Sequence, residues 1–314
     1  MTKIVVTPRS FARHSPEPLD MLKRQGYEVV LNPFGRIMTK EEIGGLITDA
    51  DAVIVGVDPL DREVLEKAER LKVISKYGIG TDNIDTSFAQ ERGIAVSVAA
   101  GANTDAVADY TFALMLAAAR KLTVIDQECR KRNWTKLTTL DVCHRTLGLL
   151  GMGNIGKAVA RRAAGFDMKI IAFDTIRDPA FAEANGISYA ERIEDVLRTA
   201  DFISLHLPLN ERTRHMIGRA QFAMMKPTAV LVNTARGGLI DEEALYETLK
   251  AEAIWGAGVD VFEEEPPGNA ALLELDNLII GSHCAASTVS AVDNMGLIAS
   301  RNAIHAIEGL QTAQ

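Results

Sequence analysis

The chain has 314 residues, of which 47% are hydrophobic and 24% charged, and a formal net charge of −8. That length most often makes about two domains with separate cores, and the composition is ordinary for a globular protein. The acidic balance argues against nucleic acid or an anionic membrane as partner.

The most apolar run, residues 112–119, is too short to span a bilayer, and Met1-Thr2-Lys3 leads straight into a strand with no signal pattern. The cysteines at 129, 143 and 284 follow no disulfide or zinc spacing. Their pattern suits a reducing cytoplasm and no metal.

From the N-terminus the chain alternates strand and helix. Residues 4–7 predict a strand ended by Pro8, 18–25 a helix closed by Gly26, and 27–31 a second strand. Thr39-x-x-Glu42 is a capping box for the next helix. Strands at 52–57, 72–75 and 94–98 follow, with helices at 62–68 and up to Arg92. Such alternation implies a mostly parallel sheet covered on both faces. Ligands of such sheets sit beyond the strand C-termini, so the glycine-bearing turn at 78–82 is a candidate substrate contact.

Gly101 marks a boundary, and Asn103 or Thr104 can cap a helix running to about Arg120. Residues 123–145 are less periodic and hold Trp134 among basic residues. They read equally as an arm for a partner subunit or as a solvated excursion.

Residues 146–174 then read TLGLLGMGNIGKAVARRAAGFDMKIIAFD. A short apolar strand meets Gly151, Gly153 and Gly156 in G-x-G-x-x-G order, an amphipathic helix follows, and a second strand ends on Asp174. Gly151 allows a tight turn, Gly153 a close approach of main chain to pyrophosphate, and Gly156 close helix packing. The helix start, through Asn154 and Ile155, offers N–H groups and a positive dipole end to the phosphates. Asp174 can accept hydrogen bonds from the adenosine ribose and would repel a 2′-phosphate, which favours NAD over NADP. Arg177, three residues on, works against that preference.

Helices near 180–184 and 192–199 come next. Strands at 202–206, 230–233, 255–259 and 278–280 follow, with a helix at 242–250 and a C-terminal helix from about Thr288 to Glu308. Three strand ends carry chemistry. One holds Arg236 among small residues, one holds Asp260 and Glu265, and one holds His283. A histidine, a carboxylate and an arginine at one sheet edge suit hydride transfer on a 2-hydroxy or 2-oxo acid. His283 would carry the hydroxyl proton, Glu265 would hold and orient the imidazole, and Arg236 would fork onto the substrate carboxylate.

These segments resemble the D-isomer-specific 2-hydroxyacid dehydrogenase family, and most closely its D-3-phosphoglycerate dehydrogenase-like branch. The matching stretches include YGIGTDNID at 77–85, GANTDAVADYT at 101–111, LGLLGMGNIGKAVARR at 147–162, SLHLPLNERTRHMI at 204–217, MKPTAVLVNTARGGLIDEEAL at 225–245, GVDVFEEEPP at 258–267 and HCAAST at 283–288. The resemblance implies an α/β fold of two doubly wound parallel-sheet domains with a cleft between them. Residues 1–100, completed by 286–314, would be a flavodoxin-like substrate domain, and residues 101–285 a Rossmann cofactor domain.

By the same resemblance Arg236, Glu265 and His283 are catalytic. Gly151, Gly153, Asn154, Ile155, Gly156, Asp174, His206, Pro208, Thr213, Thr234, Ala235, Asp260 and Ala285 bind NAD, and Lys76, Ile79 and Gly80 meet the substrate. Ser282, Cys284 and Ala285 stand where relatives usually have Pro, Ile or Leu, and Gly. The regulatory domains of longer phosphoglycerate dehydrogenases are not expected. The expected protein is a homodimeric NAD-dependent oxidoreductase taking a small 2-hydroxy or 2-oxo acid. Hydroxypyruvate or glyoxylate reductase is the alternative enzyme. An NAD(H)-sensing binding protein, like the C-terminal-binding-protein corepressors, is the alternative outside enzymes.

Overall fold

The computed structural model describes residues 1–312. They fall into two compact units, Met1–Asn103 with the segment from Ser287 onward, and Thr104–Ala286. Each is built on one all-parallel sheet, in agreement with the α/β class expected from the alternating elements.

The first unit's strands are β1 (Lys3–Val6), β2 (Glu28–Leu31), β3 (Ala52–Val55), β4 (Val73–Lys76) and β5 (Ala95–Val98), in the order β2-β1-β3-β4-β5. β3 reads Ala-Val-Ile-Val and is buried throughout. It shows no polar alternation because helices cover both faces. The expected capping box forms. Thr39 accepts from the Glu42 N–H, and the Glu42 carboxylate takes the Thr39 N–H at 2.9 Å. The long helix Val289–Thr312 returns to this unit and packs on β3, β4, β5 and the helix Glu17–Arg24. Ser75 on β4 donates to the Ala299 carbonyl at 2.8 Å, so a buried hydroxyl on the sheet is satisfied by the helix covering it. That helix extends four residues past the expected end at Glu308. Of the 286–314 segment expected to complete this unit, residues 313 and 314 lie outside the described residues.

The second unit's strands are β6 (Thr146–Leu150), β7 (Lys169–Phe173), β8 (Ile187–Tyr189), β9 (Phe202–Leu205), β10 (Val230–Asn233), β11 (Gly256–Val259) and β12 (Leu278–Ile280). Their order is β12-β11-β10-β9-β6-β7-β8. Leu147, Leu149, Val230 and Val232 build the core on one face, and Leu150, Ile203, Leu205 and Leu231 the core on the other. The helix Thr104–Ala119 covers β10 and β11. The chain moves outward from β6 through β7 to β8, then restarts at β9 on the other side of β6. The gap between the C-terminal ends of β6 and β9 is therefore the topological switch point, where such sheets bind ligands.

Several elements lie outside the expectation, among them the four-residue helices Arg219–Phe222 and Ala270–Leu273, β8 and a helix before β6. β8 is an edge strand of three residues, too short to leave a periodic pattern. The helix Leu122–Arg130 covers the start of the stretch read as less periodic, and none of its residues is buried. Its support is local, as in the Arg130–Asp126 pair at 2.7 Å one turn apart, so no core-facing apolar stripe announced it. Among the described residues no helix is long and apolar enough to cross a membrane.

Candidate active site

The glycine turn sits at the switch point. The Gly151 N–H donates to Phe173 O at 2.9 Å, and the His206 N–H to Leu150 O at 2.7 Å, which ties the ends of β7, β6 and β9 together. Gly151 has φ +103°, and a Cβ there would lie 2.5 Å from the His206 carbonyl oxygen. At Gly156 a Cβ would lie 2.2 Å from the Gly151 carbonyl oxygen. Both positions therefore require glycine for close main-chain approach. Gly153 differs, because nothing stands within 4 Å of its Cβ position. It caps the ten-residue helix Asn154–Ala163 without any side-chain acceptor. Open space above uncapped helix N–H groups fits a pyrophosphate.

Asp174, just past β7, accepts the Met152 N–H at 2.6 Å and the Ile176 N–H at 2.9 Å, one on each carboxylate oxygen. A carboxylate has about four acceptor positions, so each oxygen keeps one for a ribose hydroxyl. These residues together suit a dinucleotide that carries an adenosine ribose free of phosphate.

Three neighbouring strand ends carry the chemical groups. After β10, the buried Asn233 accepts the Ala235 N–H at 3.0 Å and donates to Arg236 O at 2.8 Å, closing the turn that presents Arg236. Thr234 meets Thr111 of the long helix at 3.0 Å, hydroxyl to hydroxyl. After β11, Asp260 is 1% exposed. Its N–H donates to Asn233 O at 2.9 Å, and its own carbonyl takes the His283 N–H at 2.7 Å. Its carboxylate accepts the Cys284 N–H at 3.0 Å and the Ala285 N–H at 2.8 Å. The three loops are thus fastened to one another largely through main chain.

His283, after β12, adopts φ +55°. A left-handed conformation at a non-glycine residue is held by its surroundings, and such strain gathers at functional sites. Its Nδ1 lies 3.0 and 2.9 Å from the two Glu265 carboxylate oxygens. Burial alone would raise Glu265, but the His283 hydrogen bond and charge, the Phe262 N–H and the Arg236 charge outweigh it and leave it below its ordinary value. A Glu265 that stays ionised fixes Nδ1 as the bonded nitrogen and leaves Nε2 for proton transfer.

The remaining expected residues take these places. His206 has Nε2 2.9 Å from Ser204 Oγ, and burial pushes its imidazole down to about 4. Thr213 donates its hydroxyl to Pro208 O at 2.7 Å and accepts the Asn210 N–H at 2.8 Å, so it closes the Pro208 loop. In the first unit Ile79 is 39% exposed on its turn. Lys76 is buried, and its ammonium donates to Gly56 O at 2.5 Å and to Asn83 Oδ1 at 2.7 Å. Arg36 is clasped by both Glu42 oxygens at 2.8 and 2.6 Å.

Two features escaped the sequence reading. The Asp260 carboxylate grips the loop after His283, a contact across 24 residues that no local motif signals. His215 and Glu263 also pair, and the Glu263 N–H donates to Glu242 at 2.6 Å, which ties the Glu265 loop to its neighbours.

The model of the D-isomer specific 2-hydroxyacid dehydrogenase NAD binding domain matches residues 112–285. A glyoxylate reductase of Korarchaeum cryptofilum is 43% identical over 274 residues, covering 85% of this chain and 82% of that one. The chain belongs to the D-isomer specific 2-hydroxyacid dehydrogenase family. A D-3-phosphoglycerate dehydrogenase of Methanocaldococcus jannaschii is 46% identical over 264 residues, which are 83% of this chain but 50% of that longer one. The solved structure of the TT0316 protein from Thermus thermophilus superposes with a TM-score of 0.88 at 35% identity, covering 98% of this chain and 97% of that one. This dehydrogenase is an NAD-dependent oxidoreductase of 2-hydroxy acids, and its matched domain is the family's NAD-binding domain.

Proposed function

We propose that this dehydrogenase interconverts a small 2-oxo acid and its D-2-hydroxy acid with His283 as acid–base, Glu265 as its orienting carboxylate and Arg236 as the substrate anchor. The observation that carries the reading is the His283–Glu265 pair, with both carboxylate oxygens within 3.0 Å of Nδ1 and the Arg236 charge acting on the same carboxylate. NAD, when bound, accepts or supplies the hydride. Arg236 grips the substrate carboxylate as a fork and draws charge from the adjacent carbonyl oxygen. His283 gives a proton from Nε2 to that oxygen on reduction and takes it back on oxidation. Glu265 holds the ring in one orientation through both directions. Gly151, Gly153, Asn154, Ile155, Gly156 and Asp174 cradle the dinucleotide, with His206, Pro208, Thr213, Thr234, Ala235, Asp260 and Ala285 as its further contacts. Ile79 and Gly80 offer main chain to the substrate carboxylate.

Relatives named for phosphoglycerate and for glyoxylate lie at similar identity. A specific observation favours the unphosphorylated class. Of the three cations that could meet a distal phosphate, Arg9, Arg36 and Lys76, Arg36 is already clasped by Glu42 and Lys76 is committed to Gly56 and Asn83, so at most Arg9 is poised for one. We therefore read glyoxylate or hydroxypyruvate, rather than a phosphorylated 2-oxo acid, as the substrate type. We further read the exposed Leu122, Trp134 and Leu137 (58%, 79% and 44%) as the apolar part of a homodimer arm. The free cysteines 129, 143 and 284 fit a cytoplasmic setting.

The test is NADH oxidation across glyoxylate, hydroxypyruvate, pyruvate and phosphohydroxypyruvate, with His283→Ala beside the unaltered protein. We expect the small unphosphorylated 2-oxo acids to be preferred and His283→Ala to lose about 10²- to 10⁴-fold in kcat with NADH affinity retained. Full turnover by His283→Ala would refute the acid–base assignment. A preference for phosphohydroxypyruvate would refute the substrate class alone.

A further inference from the structure

Arg177 stands three residues after Asp174, within one short loop of the position proposed for the adenosine ribose. Sequence logic alone makes it ambiguous. An arginine near that acid is the usual partner of a 2′-phosphate, which would soften the preference for NAD. The structure commits it elsewhere. Its Nη1 donates to Glu191 Oε1 at 2.9 Å and its Nη2 to the Ala190 carbonyl at 3.0 Å. The guanidinium carbon lies 5.5 Å from the centroid of the Tyr189 ring. All three partners sit on or just past the end of β8.

This arrangement is anchored on both sides. The Ala190 N–H donates to Ala172 O on β7 at 2.8 Å. The Asp178 N–H, next to Arg177, points to the Tyr189 hydroxyl at 3.3 Å. The nearer acid in sequence is Asp174, which accepts one N–H on each oxygen, from Met152 and Ile176, yet the guanidinium pairs with Glu191. Glu191 therefore competes for a cation that would otherwise be available at the ribose.

We propose that Glu191, backed by the Ala190 carbonyl and the Tyr189 ring, is a cofactor-specificity residue that holds Arg177 away from the 2′ position of the adenosine ribose. Rejection of a 2′-phosphate then has two parts. Asp174 supplies a negative charge where the phosphate would sit, and Glu191 withholds the positive charge that would compensate it. The inference rests on the proposed placement of the ribose at Asp174.

The test uses ligands that need no turnover. Calorimetric titration compares 2′,5′-ADP with 5′-ADP on the unaltered protein, Glu191→Gln, Arg177→Gln and the double variant Arg177→Gln/Glu191→Gln. NADPH and NADH fluorescence titrations run in parallel. Glu191→Gln should tighten 2′,5′-ADP by about twofold to fivefold, the range an exposed ion pair can contribute, with 5′-ADP changed less than twofold. The gain should vanish in the double variant, because it is delivered by Arg177. No gain in Glu191→Gln overturns the proposal. A gain that survives in the double variant also overturns it, since removal of one negative charge would then suffice without Arg177. Failure of the unaltered protein to bind 5′-ADP would instead bring down the dinucleotide site on which the inference stands.

Discussion

His206 offers a prediction whose size follows from a single shift. Its imidazole is pushed from 6.5 down to about 4 by burial at the end of β9. The folded state therefore disfavours the charged ring, and the unfolded state does not. Stability from this group is fully present above about pH 6.5 and is lost as the pH falls toward the folded value. A shift of about 2.5 units corresponds to roughly 3 kcal/mol at full effect, of which roughly 2 kcal/mol falls between about pH 7 and about pH 5. His206→Gln keeps an amide within reach of Ser204 and cannot titrate. The assay is urea unfolding followed by tryptophan fluorescence. Both tryptophans, 134 and 255, belong to the second unit, and the Trp255 indole N–H is bonded to Ala118 O at 3.1 Å, so the signal reports the unit that holds His206. Unaltered protein should lose roughly 2 kcal/mol more than His206→Gln over that interval. Parallel losses in the two proteins would refute the desolvation of this ring.

Two further outcomes are expected. Gly156→Ala would set its Cβ 2.2 Å from the Gly151 carbonyl oxygen, a rigid main-chain atom, so the turn must move. NADH affinity should fall at least about tenfold and stability by about 1–3 kcal/mol, read by fluorescence titration and thermal melting; unchanged affinity would contradict the cradle. Glu265→Gln keeps the volume but loses the charge that fixes His283, and kcat should drop by about 10- to 10³-fold with little change in NADH affinity. Because Glu265 is held below its ordinary value, the pair's contribution is present above the usual carboxylate range and lost as the pH falls through the depressed value. The unaltered enzyme's acid-side loss of rate should thus lie below that range, and an acid limb identical in Glu265→Gln would assign it to another group.

The legible parts of this chain were those with short-range causes. The capping box at Thr39, the G-x-G-x-x-G turn and the apolar strands each announce themselves within a few residues, and the structure contains them all. β8 and the helix Leu122–Arg130 did not, because one is a three-residue edge and the other buries nothing. Charge was less legible than fold. Lys76 and Arg177 each read as cations near a ligand, yet each has a partner set by folding, from Asn83 and Glu191 respectively. Residue type gives the sign of a charge but not what it is already spent on.

The same distinction explains how the chemical groups are held. Arg236, Glu265 and His283 lie at the ends of successive neighbouring strands, which brings their loops to one edge whatever the loop sequences. The sheet alone would leave the loops loose at the scale that proton transfer demands. Main-chain bonds supply the rest: Asp260 N–H to Asn233 O at 2.9 Å and His283 N–H to Asp260 O at 2.7 Å chain one loop to the next. The buried Asp260 carboxylate then accepts two successive N–H groups directly after His283. A charged acceptor makes such bonds stronger than a neutral one, and they secure the left-handed residue that carries the imidazole. The reacting side chains can therefore remain partly exposed, as His283 and Glu265 are, because their positions are set from behind by backbone rather than by packing around the ring.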